Sequence, residues 1–323
     1  METAIEPLKK TIFGHPIGLF VLFFTELWER FSYYGMRAIL VLYLVSETSG
    51  INPGLGWSDK SALELYGWYT MFVYLATIPG GILADRYLGQ RKSVMIGGLL
   101  LCFGHGILAV EALWAFYTGL TFIVLGVGCL KGNISTMVGG LYDKNDHNKR
   151  DMGFYIFYMG INVGAASAAL LVGWIGETFN WHYGFGLAGI GMALGQLGYW
   201  KGQKYLKHVG NKIETKNIEN KNSTNLFLEI FKKTNSILGF LLTASLGVYV
   251  GLNGSWDYGL LIVGIAFAVG FAIVVYNDGN RIEKDRIWVT YLAFLIVIVF
   301  WGSFEQAGGL MNLYACLLYT SPS

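Results

Sequence analysis

The sequence is short of charge. Only 14% of its 323 residues are Asp, Glu, Lys or Arg, against about 25% in an ordinary soluble domain. Too few polar side chains remain to cover a water-facing surface. Prolines number 5, cysteines 3, and the formal net charge is +2. The near-balanced charge and dominant apolar runs exclude a disordered, collagen-like or nucleic-acid-binding chain. Cys102, Cys129 and Cys316 form an odd set at no metal spacing, and the first two lie in apolar runs. They read as packing residues and imply no disulfide. The sequence has no G-x-x-x-x-G-K-S/T phosphate loop, no paired metal ligands and no positioned nucleophile and base. The reading is therefore not an enzyme, with no cofactor, no metal and no ATP drive. Met1 to Lys10 is polar, and the apolar run after it lacks a small-residue cleavage site, which argues against a cleavable signal peptide.

What the chain has in quantity is apolar surface and glycine. Hydrophobic residues make up 54%, and glycine contributes 44 positions, roughly twice its usual share. Small residues let membrane helices approach closely. Apolar stretches of roughly 20 residues are needed to cross the hydrocarbon, and nine are expected near 15–45, 62–84, 93–111, 114–141, 152–176, 182–200, 236–252, 258–277 and 287–314. The runs are long and continuous instead of alternating, so a helical bundle is expected in place of a barrel. With these spans, 19 of the Lys and Arg residues fall on one side and Lys60 alone on the other. That asymmetry places the amino terminus in the cytoplasm, with the chain crossing the lipid bilayer many times.

The organisation expected is a six-helix bundle over 1–205 and a cytoplasmic linker over 206–235. An inserted helix pair over 236–280 follows, then a further segment over 281–323. Asn211 to Asn225 is rich in Lys, Asn and Glu and has little to bury. His105, in the third span, reads as a hydrogen-bonded packing residue.

Six charged residues fall well inside spans: Glu26, Glu29, Arg30 and Arg37 in the first, Lys131 in the fourth and Glu305 in the ninth. Each mid-membrane charge costs about 2.5–3.5 kcal/mol to insert, so four in one helix are not repaid by its apolar residues. The first helix must face a wet cavity, partner charges, or both. Glu26, Arg30, Tyr33 and Arg37 recur at helical spacing on one face, flanked by Glu29 and Tyr34. That face offers carboxylates, forked guanidiniums and phenols, which suits a small zwitterionic or anionic solute. Buried Lys131 needs an acid, expected from the first helix, and Glu305 is expected opposite Arg37.

The segment Glu26 to Gly35, E-L-W-E-R-F-S-Y-Y-G, resembles the E-x-x-E-R-F-x-Y-Y-G signature of the proton-coupled oligopeptide transporter family. Phe157 to Gly164, F-Y-M-G-I-N-V-G, resembles its second signature, F-Y-x-x-I-N-x-G. Phe304-Glu305-Gln306 matches a further family pattern, and Gly81 to Lys92 is similar to the wider major-facilitator loop motif. The resemblance runs from about Gly14 to Ala315.

The resemblance implies an all-α, polytopic membrane protein: a major-facilitator-type amino-terminal six-helix bundle, an inserted helix pair, and the first helix of a second bundle. It implies a proton-coupled symporter that imports di- and tripeptides. Arg30, Tyr33, Tyr34, Arg37, Tyr74, Lys131 and Asn162 would be substrate-binding, with Arg30 and Lys131 on the peptide carboxylate and Asn162 nearer the amino end. Glu26, Glu29 and Glu305 would carry proton coupling, Arg37 with Glu305 would form an outer gate, and Asp85 and Arg86 would brace the cytoplasmic end. A carrier of another anionic solute such as nitrate, and a membrane sensor that binds peptide without moving it, are the other readings. The family continues with five more helices, and Cys316 to Ser323 does not look like that continuation. The expectation is a carboxy-terminally truncated chain that does not transport alone.

Overall fold

The computed structural model describes residues 11–143, 145–212, 234–254, 256–278 and 280–319. Most of the expected linker, together with Lys9, Lys10 and Lys144, lies outside the described residues. The protein is an all-α polytopic membrane protein. Its described helices are α1 (Ile17–Val45), α2 (Asp59–Leu75), α3 (Thr77–Leu83), α4 (Gln90–Leu108), α5 (Leu113–Gly140), α6 (His147–Thr178), α7 (Trp181–Gly202), α8 (Thr234–Asn253), α9 (Trp256–Asp278), α10 (Arg281–Glu305) and α11 (Leu310–Tyr319). Thr11–Ile12 and His15–Pro16 pair as a short antiparallel hairpin ahead of α1. Four stretches, Gln90–Leu108, Leu113–Gly140, His147–Thr178 and Arg281–Gly308, are long and apolar enough to cross a bilayer by length and composition.

Two compact units divide the chain, Met1–Glu214 with Glu305–Ser323, and Thr215–Phe304. In the first, α1 packs on α6 and α7, and α4 packs on α5 and α7. Glycine sets these approaches. A Cβ on Gly97 of α4 would sit 2.7 Å from the Gly126 carbonyl of α5, and one on Gly126 would sit 2.8 Å from the Gly97 carbonyl. On α6, a Cβ at Gly164 would strike the Leu27 carbonyl and stand 3.2 Å from the Arg30 Cβ. On α7, Gly191 and Gly195 lie against Phe31 and Trp28. At these positions α6 and α7 meet the 29 residues of α1 with no side chain of their own in the way, the arrangement that lets backbones approach in lipid.

The connection between α1 and α2 adds a tie. The Asn52 amide donates to the Gly176 carbonyl at 2.7 Å, and its side-chain oxygen accepts from the Trp181 N–H at 3.1 Å. One asparagine thus satisfies the end of α6 and the start of α7, where helix termini leave groups unpaired. Ser58, Asp146 and Asn180 cap α2, α6 and α7 through their side chains. In the second unit α8 packs on α9, and a Cβ on Gly247 would come 2.7 Å from the Gly259 carbonyl.

Three expectations change. The second span is not continuous, because α2 stops at Leu75 and α3 begins at Thr77. Pro79 explains this: it has no N–H for the Leu75 carbonyl four residues back, and its ring crowds that carbonyl. The ninth span breaks after Glu305, with a tight turn over Gln306–Gly308 before α11. His105 is fully buried, but neither ring nitrogen has a hydrogen-bond partner among the described residues. It fills space between α4 and α7, with its Cβ 3.3 Å from where a Gly189 side chain would begin.

The glycine contacts predict a sharp contrast between neighbouring substitutions. Gly97→Val should destabilise the protein by about 1–3 kcal/mol through overpacking. Gly106→Ala, where nothing lies within 4 Å, should leave the thermal midpoint in detergent close to the parent's.

Candidate functional site

The charged residues of α1 form two clusters on one buried helix face. Glu26, Glu29, Arg30 and Arg37 are each less than 5% exposed. In the first cluster Arg30 Nε donates to Glu29 Oε2 and lies 3.1 Å from Glu26 Oε1. One guanidinium therefore serves two carboxylates and leaves an excess negative charge. Glu26 Oε2, Glu29 Oε1 and Arg30 Nη2 are buried with no hydrogen-bond partner among the described residues. Buried charge is tolerated only when its remaining lone pairs and protons find partners. Chemically, this cluster can take a proton on either acid, and the free edge of Arg30 can accept a carboxylate.

Lys131 does not pair with an acid of α1. It forms no ion pair among the described residues, and its Nζ stands 4.3 Å from the centroid of the Tyr74 ring. The reason is chain proximity: Arg30 lies one and four residues from the two acids on the same helix, and engages both. Lys131 reaches in from α5 and meets the aromatic face, an attraction cations share.

In the second cluster Arg37 Nη2 is 2.9 Å from Glu305 Oε2. The Tyr74 hydroxyl donates to Glu305 Oε1 at 2.9 Å, so Tyr74 touches both Lys131 and Glu305. Tyr34 links the clusters, with the Arg30 and Arg37 guanidinium carbons 5.9 Å and 5.7 Å from its ring centroid. Tyr33 is buried, 5.3 Å from the Arg30 guanidinium carbon. Tyr66 is the residue that sequence reasoning missed. Arg37 Nε donates to its hydroxyl at 2.5 Å. On α2 it shares the buried face with Ala62, Tyr69 and Val73, a pattern that reads as packing, and only the position of Arg37 reveals its polar end.

Other expected residues stand apart. Asn162 is exposed, and its amide donates to the Tyr158 carbonyl of its own helix at 2.9 Å. Asp85 and Arg86 are exposed on the wide helical turn Ala84–Leu88. Asp85 borders a cavity of about 470 Å³ with Gly89, Thr136, His208 and Lys212. There Gly89, with φ of 78°, lies beside a second tight turn, and the Arg91 N–H donates to the Gly210 carbonyl at 2.8 Å. An apolar cavity of about 390 Å³ lies between α2 and α5, lined by Trp68, Phe72 and Tyr117 among others. Neither cavity contains the two α1 clusters.

The model of the POT family matches residues 91–321. The chain belongs to the POT family. It is 40% identical over 315 residues to the di-/tripeptide transporter of Lactococcus lactis subsp. lactis, covering 95% of this chain and 62% of that one. It is 39% identical over 312 residues to the uncharacterized transporter YclF of Bacillus subtilis, covering 95% and 61%. A crystal structure of a POT peptide transporter in complex with sulfate matches with a TM-score of 0.77 at 38% identity, covering 95% of this chain and 62% of that one. A POT family transporter in complex with 5-aminolevulinic acid matches with a TM-score of 0.75 at 34% identity, covering 95% and 63%. The chain thus spans somewhat over three-fifths of the length of these POT relatives.

Removing the shared cation gives a direct test of the first cluster. Arg30→Gln leaves two buried carboxylates facing each other and should lower stability by about 3–5 kcal/mol. Adding Glu29→Gln should return part of that loss, read as a partial recovery of the thermal midpoint.

Proposed function

We propose that a full-length protein containing this chain is a proton-coupled symporter that imports di- and tripeptides across a bacterial inner membrane, with its amino terminus in the cytoplasm. The observation that carries the reading is the Arg30 cluster: one guanidinium, two buried carboxylates and three charged atoms with no hydrogen-bond partner among the described residues. The names of the POT relatives support the peptide assignment.

The charge arithmetic supplies the coupling. With both acids ionised, Arg30 Nε is shared between them and the cluster carries a net negative charge that repels a peptide carboxylate. A proton on Glu26 or Glu29 neutralises the excess and leaves the Nη2 edge of the guanidinium, which has no partner among the described residues, open to an anion. A peptide carboxylate can then bind that edge, with Lys131 swinging from the Tyr74 ring to its other oxygen. Tyr33, Tyr34 and Tyr74 flank the backbone of the bound peptide, Asn162 meets its amino-terminal half, and Arg37 with Glu305 closes the outer side. Asp85 and Arg86 brace the cytoplasmic end. Loss of the proton restores the competition from the two acids and expels the carboxylate. Recognition of termini leaves side chains unspecified, which suits a carrier of many peptides.

In proteoliposomes, a full-length protein containing this chain should take up a dipeptide when an inward proton gradient is applied. Glu26→Gln and Glu29→Gln should abolish gradient-driven uptake. Arg30→Ala should lower it by at least about 100-fold, since a buried charge-assisted pair contributes several kcal/mol. Gradient-driven uptake of near-normal rate by Arg30→Ala would remove that residue from the binding role.

A further inference from the structure

The helix that carries Glu305 is interrupted at that residue. α10 ends there, a tight turn takes Gln306–Gly308, and α11 begins at Leu310. In an unbroken helix the Gly309 N–H would bond the Glu305 carbonyl. Here it donates to the Gln306 carbonyl at 3.1 Å. The released Glu305 carbonyl accepts from Arg37 Nη2 at 2.9 Å and from the Tyr66 hydroxyl at 3.0 Å. Arg37 Nε in turn donates to the Tyr66 oxygen, so arginine and tyrosine form one assembly around a single backbone oxygen. Gly308 is buried against them, and a Cβ there would come 2.6 Å from the Tyr66 hydroxyl. Beyond the break, the Asn312 amide donates to the Ala38 carbonyl at 2.8 Å, and Leu313 is 3% exposed.

A backbone carbonyl freed inside a membrane protein is costly unless another donor takes it. The carboxylate of Glu305 could meet Arg37 from a straight or a broken helix. Its carbonyl serves both donors only from a broken helix: straightening returns one of its two lone pairs to Gly309 and leaves at most one for Arg37 Nη2 and the Tyr66 hydroxyl together. The backbone contact is therefore the part of the cluster that distinguishes the two helix shapes. We propose that Tyr66 is a positioning residue of the outer gate, which with Arg37 caps the Glu305 carbonyl and so ties closure of the gate to the break in this helix. Opening then requires the helix to straighten and withdraw Glu305 from both donors. The inference rests on the reading of Arg37 and Glu305 as that gate.

The test uses a full-length protein containing this chain, with Cys102, Cys129, Cys316 and every cysteine outside this chain replaced by serine and Leu313→Cys as the reporter. The rate at which a membrane-impermeant maleimide labels the reporter measures gate opening. Tyr66→Phe keeps the ring and the Arg37–Glu305 charge pair and deletes only the hydroxyl. Its labelling should be about fivefold faster, the population shift expected from one lost hydrogen bond. If Tyr66→Phe does not fold, Gly308→Ala serves instead, because its methyl displaces the same pair, and it should also label faster. Unchanged labelling in Tyr66→Phe beside faster labelling in Glu305→Gln would overturn the role of Tyr66 and leave an ion-pair gate. Unchanged labelling in both would overturn the gate reading itself.

Discussion

A single guanidinium held between two carboxylates inside a membrane helix bundle constrains everything around it. Glu26, Glu29 and Arg30 are almost completely buried, so α1 cannot lie at a lipid-facing edge and must be enclosed. Enclosure on all sides requires neighbours that come close, and α6 and α7 do so by presenting glycine at Gly164, Gly191 and Gly195. The same demand explains why Gly164 belongs to the second signature: it rests against the backbone of Leu27 and the base of Arg30, within the first. Two motifs far apart in sequence are the two halves of one contact. A larger residue at Gly164 would push α6 away and open a path for lipid to the charges.

The second cluster obeys a different rule. Arg37 is seven residues beyond Arg30, about 10 Å along the helix, and has no acid within one turn of it on α1. Its partners come from α2 and from the segment that begins at Glu305, and they include a backbone oxygen as well as a side chain. Both acids on Arg30 Nε come from α1 itself, so it keeps them whatever other helices do. Arg37 is satisfied only while the Glu305 segment is present. One helix thus carries a permanent cluster and a conditional one, with Tyr34 between the two guanidiniums.

Residue spacing revealed the charged face of α1, because a four, three, four recurrence of Glu26, Arg30, Tyr33 and Arg37 has one geometric meaning in a helix. It also suggested Glu305 for Arg37, since the six intramembrane charges balance. Sequence could not assign partners inside that balance. Lys131 was expected to meet an acid and instead faces Tyr74, because nothing in a linear pattern says that Arg30 already engages both carboxylates. The break before Thr77 was legible in principle from Pro79, whereas the break after Glu305 has only Gly308 and Gly309 to signal it. Glycine is so common in this chain that two more carry little information. Tyr66 was hidden for a related reason: an aromatic residue at helical spacing looks like packing until a charged group is found at its hydroxyl.

Glycine abundance and charge scarcity therefore have one origin. Each buried ion needs several partners in fixed positions, and fixed positions in lipid come from backbones in near contact. A chain that places four charges in its first helix must spend small residues on the helices around it. It must also supply polar groups from elsewhere, including from its own main chain. The Glu305 carbonyl is such a group, made available by interrupting a helix at the point where Arg37 and Tyr66 need an acceptor. On that view the interruption is not an imperfection in the ninth span. It is the counterpart, on the opposite side of the contact, of the arginine that α1 could not satisfy by itself.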